Sequence, residues 1–221
     1  IGAPETDVGA FDSGAAYLYD LTTGRQLFRL SAGDGQVEDD FGSYVAISGN
    51  VALVGAVWHA GSRGAAYVYD VNTGSQLSQI AASDAQPRDF FGIVAMDGPI
   101  AVIGAHYDDG TRGSAYVFDL TDPAHPVEVS KIIASDREAG DFFAAGGIRV
   151  QGHLVAIGAP ECDDRAGAVY LFDISDPAAP VQLAKVTAPN RVAGDWFGGG
   201  IDISGNLLAV GANRDDTVAT D

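Results

Sequence analysis

Three short anchors return in fixed order along the chain, and only a repeat architecture accommodates them. The first is an aromatic residue followed by a small one: Phe41-Gly42, Phe91-Gly92, Phe143-Ala144 and Phe197-Gly198. The second is Gly-Ala at the close of an apolar run, beginning at Gly2, Gly55, Gly104, Gly158 and Gly211. The third is a segment of small residues and an aromatic that ends in Asp, over 14–20, 64–70, 113–119 and 167–173. The Gly-Ala spacings are 53, 49, 54 and 53 residues, the period of a propeller blade or a solenoid unit.

Each unit reads as four short strands. In the first whole unit these are 45–48, 51–54, 65–69 and 76–80, with Gly49-Asn50 as a two-residue hairpin turn between the first two. The first two strands are nearly continuous apolar runs, as expected of inner strands buried on both faces. No segment keeps a helical period over eleven residues. Two units carry a longer, Pro-containing hairpin between strands three and four, at 122–127 and 176–181, which suits a sheet edge. Composition agrees: 25 of the 30 acids are Asp and only 5 are Glu, and Gly numbers 29, so tight turns are frequent. The expected fold is all-β, a β-propeller of four-stranded antiparallel blades in repeats of about 50 residues. The blades run 34–82, 83–134 and 135–188, with partial blades at 1–33 and 189–221, all within one array over 1–221. The last residues fall in the loop where the first unit has Asp12-Ser13-Gly14, so the sequence reads as part of a longer array. A closed four-bladed ring is the rival arrangement.

The order Asp-x-Phe-Gly, apolar hairpin, Gly-Ala-Pro resembles the FG-GAP repeat, best known from the integrin α-subunit propeller and widespread in bacterial surface and secreted proteins. Gly2-Ala3-Pro4 and Gly158-Ala159-Pro160 keep the full triplet, while Val57, His106 and Asn213 replace the proline elsewhere. Ser-Gly-Asn at 48–50 and 204–206 is similar to the bacterial form. The resemblance covers the whole chain. It implies an integrin-α-like propeller of seven blades and an extracellular or cell-surface location. It would also imply calcium in the hairpin between strands one and two. Those hairpins carry at most one carboxylate each, whereas calcium takes six to eight oxygens, so that site is not expected here.

The formal charge is −18, which disfavours nucleic acid and anionic membranes as partners. No apolar run is long enough for a membrane span. A single cysteine, Cys162, excludes an intrachain disulfide, and neighbouring carboxylates make it a poor nucleophile. The loops entering strand one and those joining strands two and three share a face if the strand reading holds. They carry 21 of the 30 acids, among them Asp7, Asp12 and Asp221, against seven arginines. That face could steer a basic partner or simply be well solvated.

Candidate residues follow from these loops. Asp39, Asp89, Asp141 and Asp195 precede each Phe by two, and Asp34, Asp84, Asp136 and Asn190 by seven. Paired carboxylates in one loop could hold a cation, but recurrence in every unit and the Asn at 190 favour Asx-type turns for both series; Asp20, Asp70, Asp119 and Asp173 read as turn caps after strand three. Asp108, Asp109, Glu161, Asp163 and Asp164 are weak calcium candidates without regular loop spacing. No other cofactor is expected. Trp58, His59, His106, Tyr107 and Trp196 are candidates for partner contact, since exposed rings stack on sugars and peptides. No nucleophile–base–orienter set assembles, so the expected function is a non-catalytic scaffold that binds a protein or glycan. The alternatives are a structural subunit that self-assembles into a filament, fibre or surface layer, and a hydrolase or lyase whose site lies outside these residues.

Overall fold

In a computed structural model, the described residues are 1–6 and 13–216; Asp7, Asp12 and Asp221 of the acidic loops lie outside them. Five antiparallel sheets follow one another. The first holds β1 (Gly2–Ala3), β2 (Ala15–Tyr19) and β3 (Gln26–Leu30). Three complete four-stranded blades come next. They are β4 (Tyr44–Ser48) to β7 (Gln76–Ile80), β8 (Phe91–Asp97) to β11 (Val127–Ile132), and β12 (Ile148–Gln151) to β15 (Val181–Val186). Between these ends run β5 (Val51–Ala56), β6 (Ala65–Asp70), β9 (Ile100–Ala105), β10 (Ser114–Asp119), β13 (Leu154–Ala159) and β14 (Ala168–Asp173). The hairpin β16 (Phe197–Ser204) and β17 (Leu207–Ala212) ends the array. Strands are paired in sequence order in every sheet, the meander of a propeller blade. No sheet among the described residues closes on itself.

The alternation of side chains along each strand explains the stacking. Ala52 and Val54 on β5 face the first sheet's Ala16 and Leu30, while Leu53 faces Val94, Ile103 and Tyr116 of the next blade. The opposite face of that blade, with Val102, Val117 and Ile132, packs on Val155, Ile157 and Tyr170. The core is therefore a series of layers between blades.

The repeated glycines belong to these layers. A Cβ on Gly55 would stand 1.9 Å from the carbonyl oxygen of Gly92 in the next blade. Gly64, with φ +81°, lies equally close to the Phe91 backbone and pairs with it. The Phe-Gly and Gly-Ala anchors are thus two halves of one backbone contact across the blade junction. Phe91 itself is fully buried and packs edge-on against Tyr116 and Phe118 of its own blade.

The strand expectation needs one correction. Strand one is not buried throughout: Val45 and Ile47 on β4 are exposed, because the first sheet places no strand-one partner opposite them. Three one-turn segments also appear between strands two and three: α1 (His59–Ser62), α2 (Asp108–Thr111) and α3 (Cys162–Arg165). Their inner residues are left-handed, with φ between +51° and +72° from Ala60 to Ser62 and from Asp109 to Thr111, so no helical period announces them. No helix among the described residues is long and apolar enough to cross a membrane.

Candidate functional site

The loops entering strand one meet the α1–α3 turns on one face of the array. Backbone bonds join them at equivalent places: Phe90 N–H to Ser62 O, Phe142 N–H to Thr111 O, and Trp196 N–H to Arg165 O. The side chains on this face form two tiers.

The lower tier is a polar clamp in each whole blade. Strand pairing sets Tyr67 opposite Gln79, Tyr116 opposite Lys131 and Tyr170 opposite Lys185. The three tyrosine hydroxyls donate to Asp34, Asp84 and Asp136 at 2.9, 2.7 and 3.0 Å. These aspartates are therefore not the Asx turns expected of them; a buried phenol needs an acceptor, and they supply it. Asp39, Asp89, Asp141 and Asp195 do cap their loops, each accepting a backbone N–H three residues back at 2.6–2.9 Å. Asp20, Asp70, Asp119 and Asp173 likewise accept the N–H two residues on, each at 2.7 Å.

Lys131 bridges Asp84 at 2.7 Å and Asp108 at 2.6 Å. Lys185 bridges Asp136 at 2.7 Å and Asp163 at 2.9 Å, and Asp163 also pairs with Arg191. Burial opposes charge on Asp163, yet bonds from Lys185 and Arg191 hold its carboxyl down at about 2. Both lysines come from strand four, so they lie outside the sequence count of the face and offset part of its acidity. Burial raises Asp89 and Asp141 above the usual carboxylate range. It also pushes the Cys162 thiol up to about 11, where the thiolate is scarce at neutral pH.

The upper tier is a row of rings. Trp58 stands edge-on to Phe90 at 4.8 Å between centroids, Phe90 meets Tyr107 at 4.8 Å, and Tyr107 meets Phe142 at 4.7 Å. His106 packs against both Phe90 and Tyr107. Burial lowers its imidazole to about 4, so it is neutral at physiological pH. Trp58 and Tyr107 remain 48% and 38% exposed. Further along, Arg214 lies over the Trp196 ring at 3.8 Å. Phe90, Phe142 and Trp196 have φ of +54°, +48° and +59°. A bulky side chain in the left-handed region costs about 1–3 kcal/mol.

The structure thus brings Trp58, His106 and Tyr107 together, adds Phe90 and Phe142, and places Trp196 beside Arg214. His59 is not part of the row: it is buried in the clamp, with Nδ1 2.9 Å from Asp39. Sequence reasoning passed over Phe90 and Phe142 because each directly precedes an anchor Phe. The available signal was the position itself, which holds Asp40, Phe90, Phe142 and Trp196 in successive units. The calcium candidates are split between two blades: Asp108 is tied to Lys131, Asp109 to Arg137, and Asp163 to Lys185 and Arg191, while Glu161 lies near Arg165. No group of three or more His, Cys, Asp or Glu among the described residues is arranged to hold a metal.

A cleft of about 750 Å³ opens beside Tyr107, lined by Asp84, Asp89, Asp108, Asp109, Arg88 and Lys131 among others. A second, of about 470 Å³, lies beside Phe142 and carries Glu138, Asp141, Glu161, Asp163 and Asp164 with Arg165.

Comparison with known proteins accords with this architecture. The family described as FG-GAP repeat matches residues 25–69, 75–118, 126–172 and 180–221; the first three matches each run from a strand four through the following strand three, and the fourth takes in β15 and the β16–β17 hairpin. No curated protein matches the chain. A chain of the solved structure titled "Crystal Structure of Mitotic Checkpoint Complex" is similar in fold, with a TM-score of 0.59 and 17% identity over 90% of this chain. The present chain spans about half of that one, 51% of its length.

Proposed function

Because the chain belongs to the FG-GAP repeat family, we propose that it is a non-catalytic extracellular or cell-surface propeller scaffold, which holds a protein or glycan partner through the loops of one acidic face. The observation that carries this reading is the row Trp58, Phe90, Tyr107 and Phe142, in which Trp58 and Tyr107 are exposed and the two phenylalanines partly buried. Rings cost free energy when left in water and gain it when a sugar face or peptide covers them. The backbone strain at Phe90 and Phe142 points the same way, since strain of this kind concentrates at binding sites. The acidic clefts on either side add selectivity and steering. The lower-tier carboxylates support a scaffold rather than a catalyst: they are engaged by tyrosines, lysines and backbone amides.

The test is an array of immobilised glycans and peptides probed with the wild type and with W58A/Y107A. Signals retained by the wild type fall at least tenfold in the double variant. Equal signals from both proteins refute the row as the contact surface.

A further inference from the structure

The clamp is built from different charges in different blades, and this difference carries an inference about regulation. In the second and third whole blades the cation is a strand-four lysine, which is charged at all physiological pH values. In the first, strand four offers the neutral Gln79, and the basic group is His59 on α1. Asp34 and Asp39 face His59 from the loop before β4, Tyr67 from β6 and Gln79 from β7.

The two ring nitrogens have different surroundings. Nδ1 lies 2.9 Å from Asp39 Oδ2, a bond that needs a proton on Nδ1. Nε2 stands between two alternatives, with the Gln79 amide nitrogen at 3.3 Å and Asp34 Oδ2 at 3.5 Å. A neutral ring accepts from the Gln79 N–H₂. A protonated ring has no lone pair for it, and donates to Asp34 instead. Gln79 Nε2 also donates to the Tyr67 hydroxyl at 3.1 Å, and Tyr67 to Asp34 at 2.9 Å, so the change of partner passes through the whole clamp. Imidazoles exchange protons near physiological pH, and ammonium groups do not.

We propose that His59 is a proton-operated latch. Protonation moves Nε2 from Gln79 to Asp34 and draws the turn that presents Trp58 onto the loop before β4. Trp58 is the residue immediately before His59, and its carbonyl accepts the Ser62 N–H that closes the turn. The second and third blades, with Lys131 and Lys185, have no such response. The consequence for recognition rests on the function proposed above; the titration itself does not.

Nuclear magnetic resonance of the full chain between pH 8 and 5 tests it. The expected result is that the Gln79 side-chain amide and the Trp58 indole N–H shift with the same midpoint as the His59 ring. In H59D/Q79K, which imports the Asp108–Lys131 pair, the Trp58 shift over this range is lost. The proposal is overturned if His59 does not titrate in this range. It is equally overturned if His59 titrates while Gln79 and Trp58 stay fixed, or if a folded H59D/Q79K keeps the wild-type response. The wild-type titration decides alone if the double variant does not fold.

Discussion

The junctions between blades and the rim above them treat repetition in opposite ways. At the junctions the same contact recurs: Gly14, Gly64 and Gly167 each pair with the anchor Phe of the next unit. On the rim, one equivalent position holds Trp58, Tyr107, Glu161 and Arg214, and another holds Asp40, Phe90, Phe142 and Trp196. The lesson is physical. A Cβ on Gly2 or Gly55 would stand under 2 Å from a carbonyl oxygen of the next blade, so those junctions admit no side chain there, and even where Ala144 replaces the anchor glycine a Cβ on Gly104 would meet it at 2.7 Å. A rim side chain has solvent on one side and is free to change the surface's chemistry without disturbing the stack.

Substitutions of decreasing severity bear on this contrast. Phe91→Ala removes a fully buried ring from a junction layer and should cost roughly 3–5 kcal/mol in urea denaturation; a loss under 1 kcal/mol would mean that the layer is not what holds the blades together. Lys131→Met leaves the buried Asp108 carboxylate without its cation and should cost roughly 1.5–3 kcal/mol. Lys185→Met should cost less, because Asp163 keeps Arg191. The sign of the pH effect follows from the same groups. Asp163 is held down from 3.8 to about 2 in the folded state, so its contribution is full above the ordinary carboxylate range and is lost as the pH falls through that interval. An acid titration of K185M followed by circular dichroism should therefore lose part of the wild-type slope. The smallest change is expected of Phe90→Gly. Relief of left-handed strain offsets lost ring packing, and stability should move by about 1 kcal/mol or less. A large loss there would make the rim ring a structural element and erase the contrast.

The blades were legible in the sequence because their causes are short-range: a Gly that cannot carry a Cβ, an Asp that caps a turn, an apolar hairpin. The clamp was only half legible. Asp34, Asp84 and Asp136 were visible as a series, but their tyrosine partners lie about 32–34 residues away, and only the strand register brings them together. Lys131 and Lys185 escaped notice for the same reason, since they sit on outer strands and reach the face by their length. His59 was legible as a candidate but misplaced at the surface: its burial depends on the left-handed α1 turn, which has no periodic signature. Trp58, His106 and Tyr107 were assigned to loops one by one, and nothing local showed that Phe90 packs between the first and last of them.

The identity of the junctions has a consequence for how such a chain can change length. At each of the four junctions the Gly-Ala of one unit lies against the Phe-Gly or Phe-Ala of its successor, so the units share one kind of mating surface. A segment of 49 to 54 residues, duplicated or deleted in register, therefore arrives with both of its mating surfaces already made. Gene-level slippage by one period would alter the count of blades and the order of rim residues while keeping the same kind of backbone contact at each junction, so the surface of such a protein can be reshuffled faster than its interior.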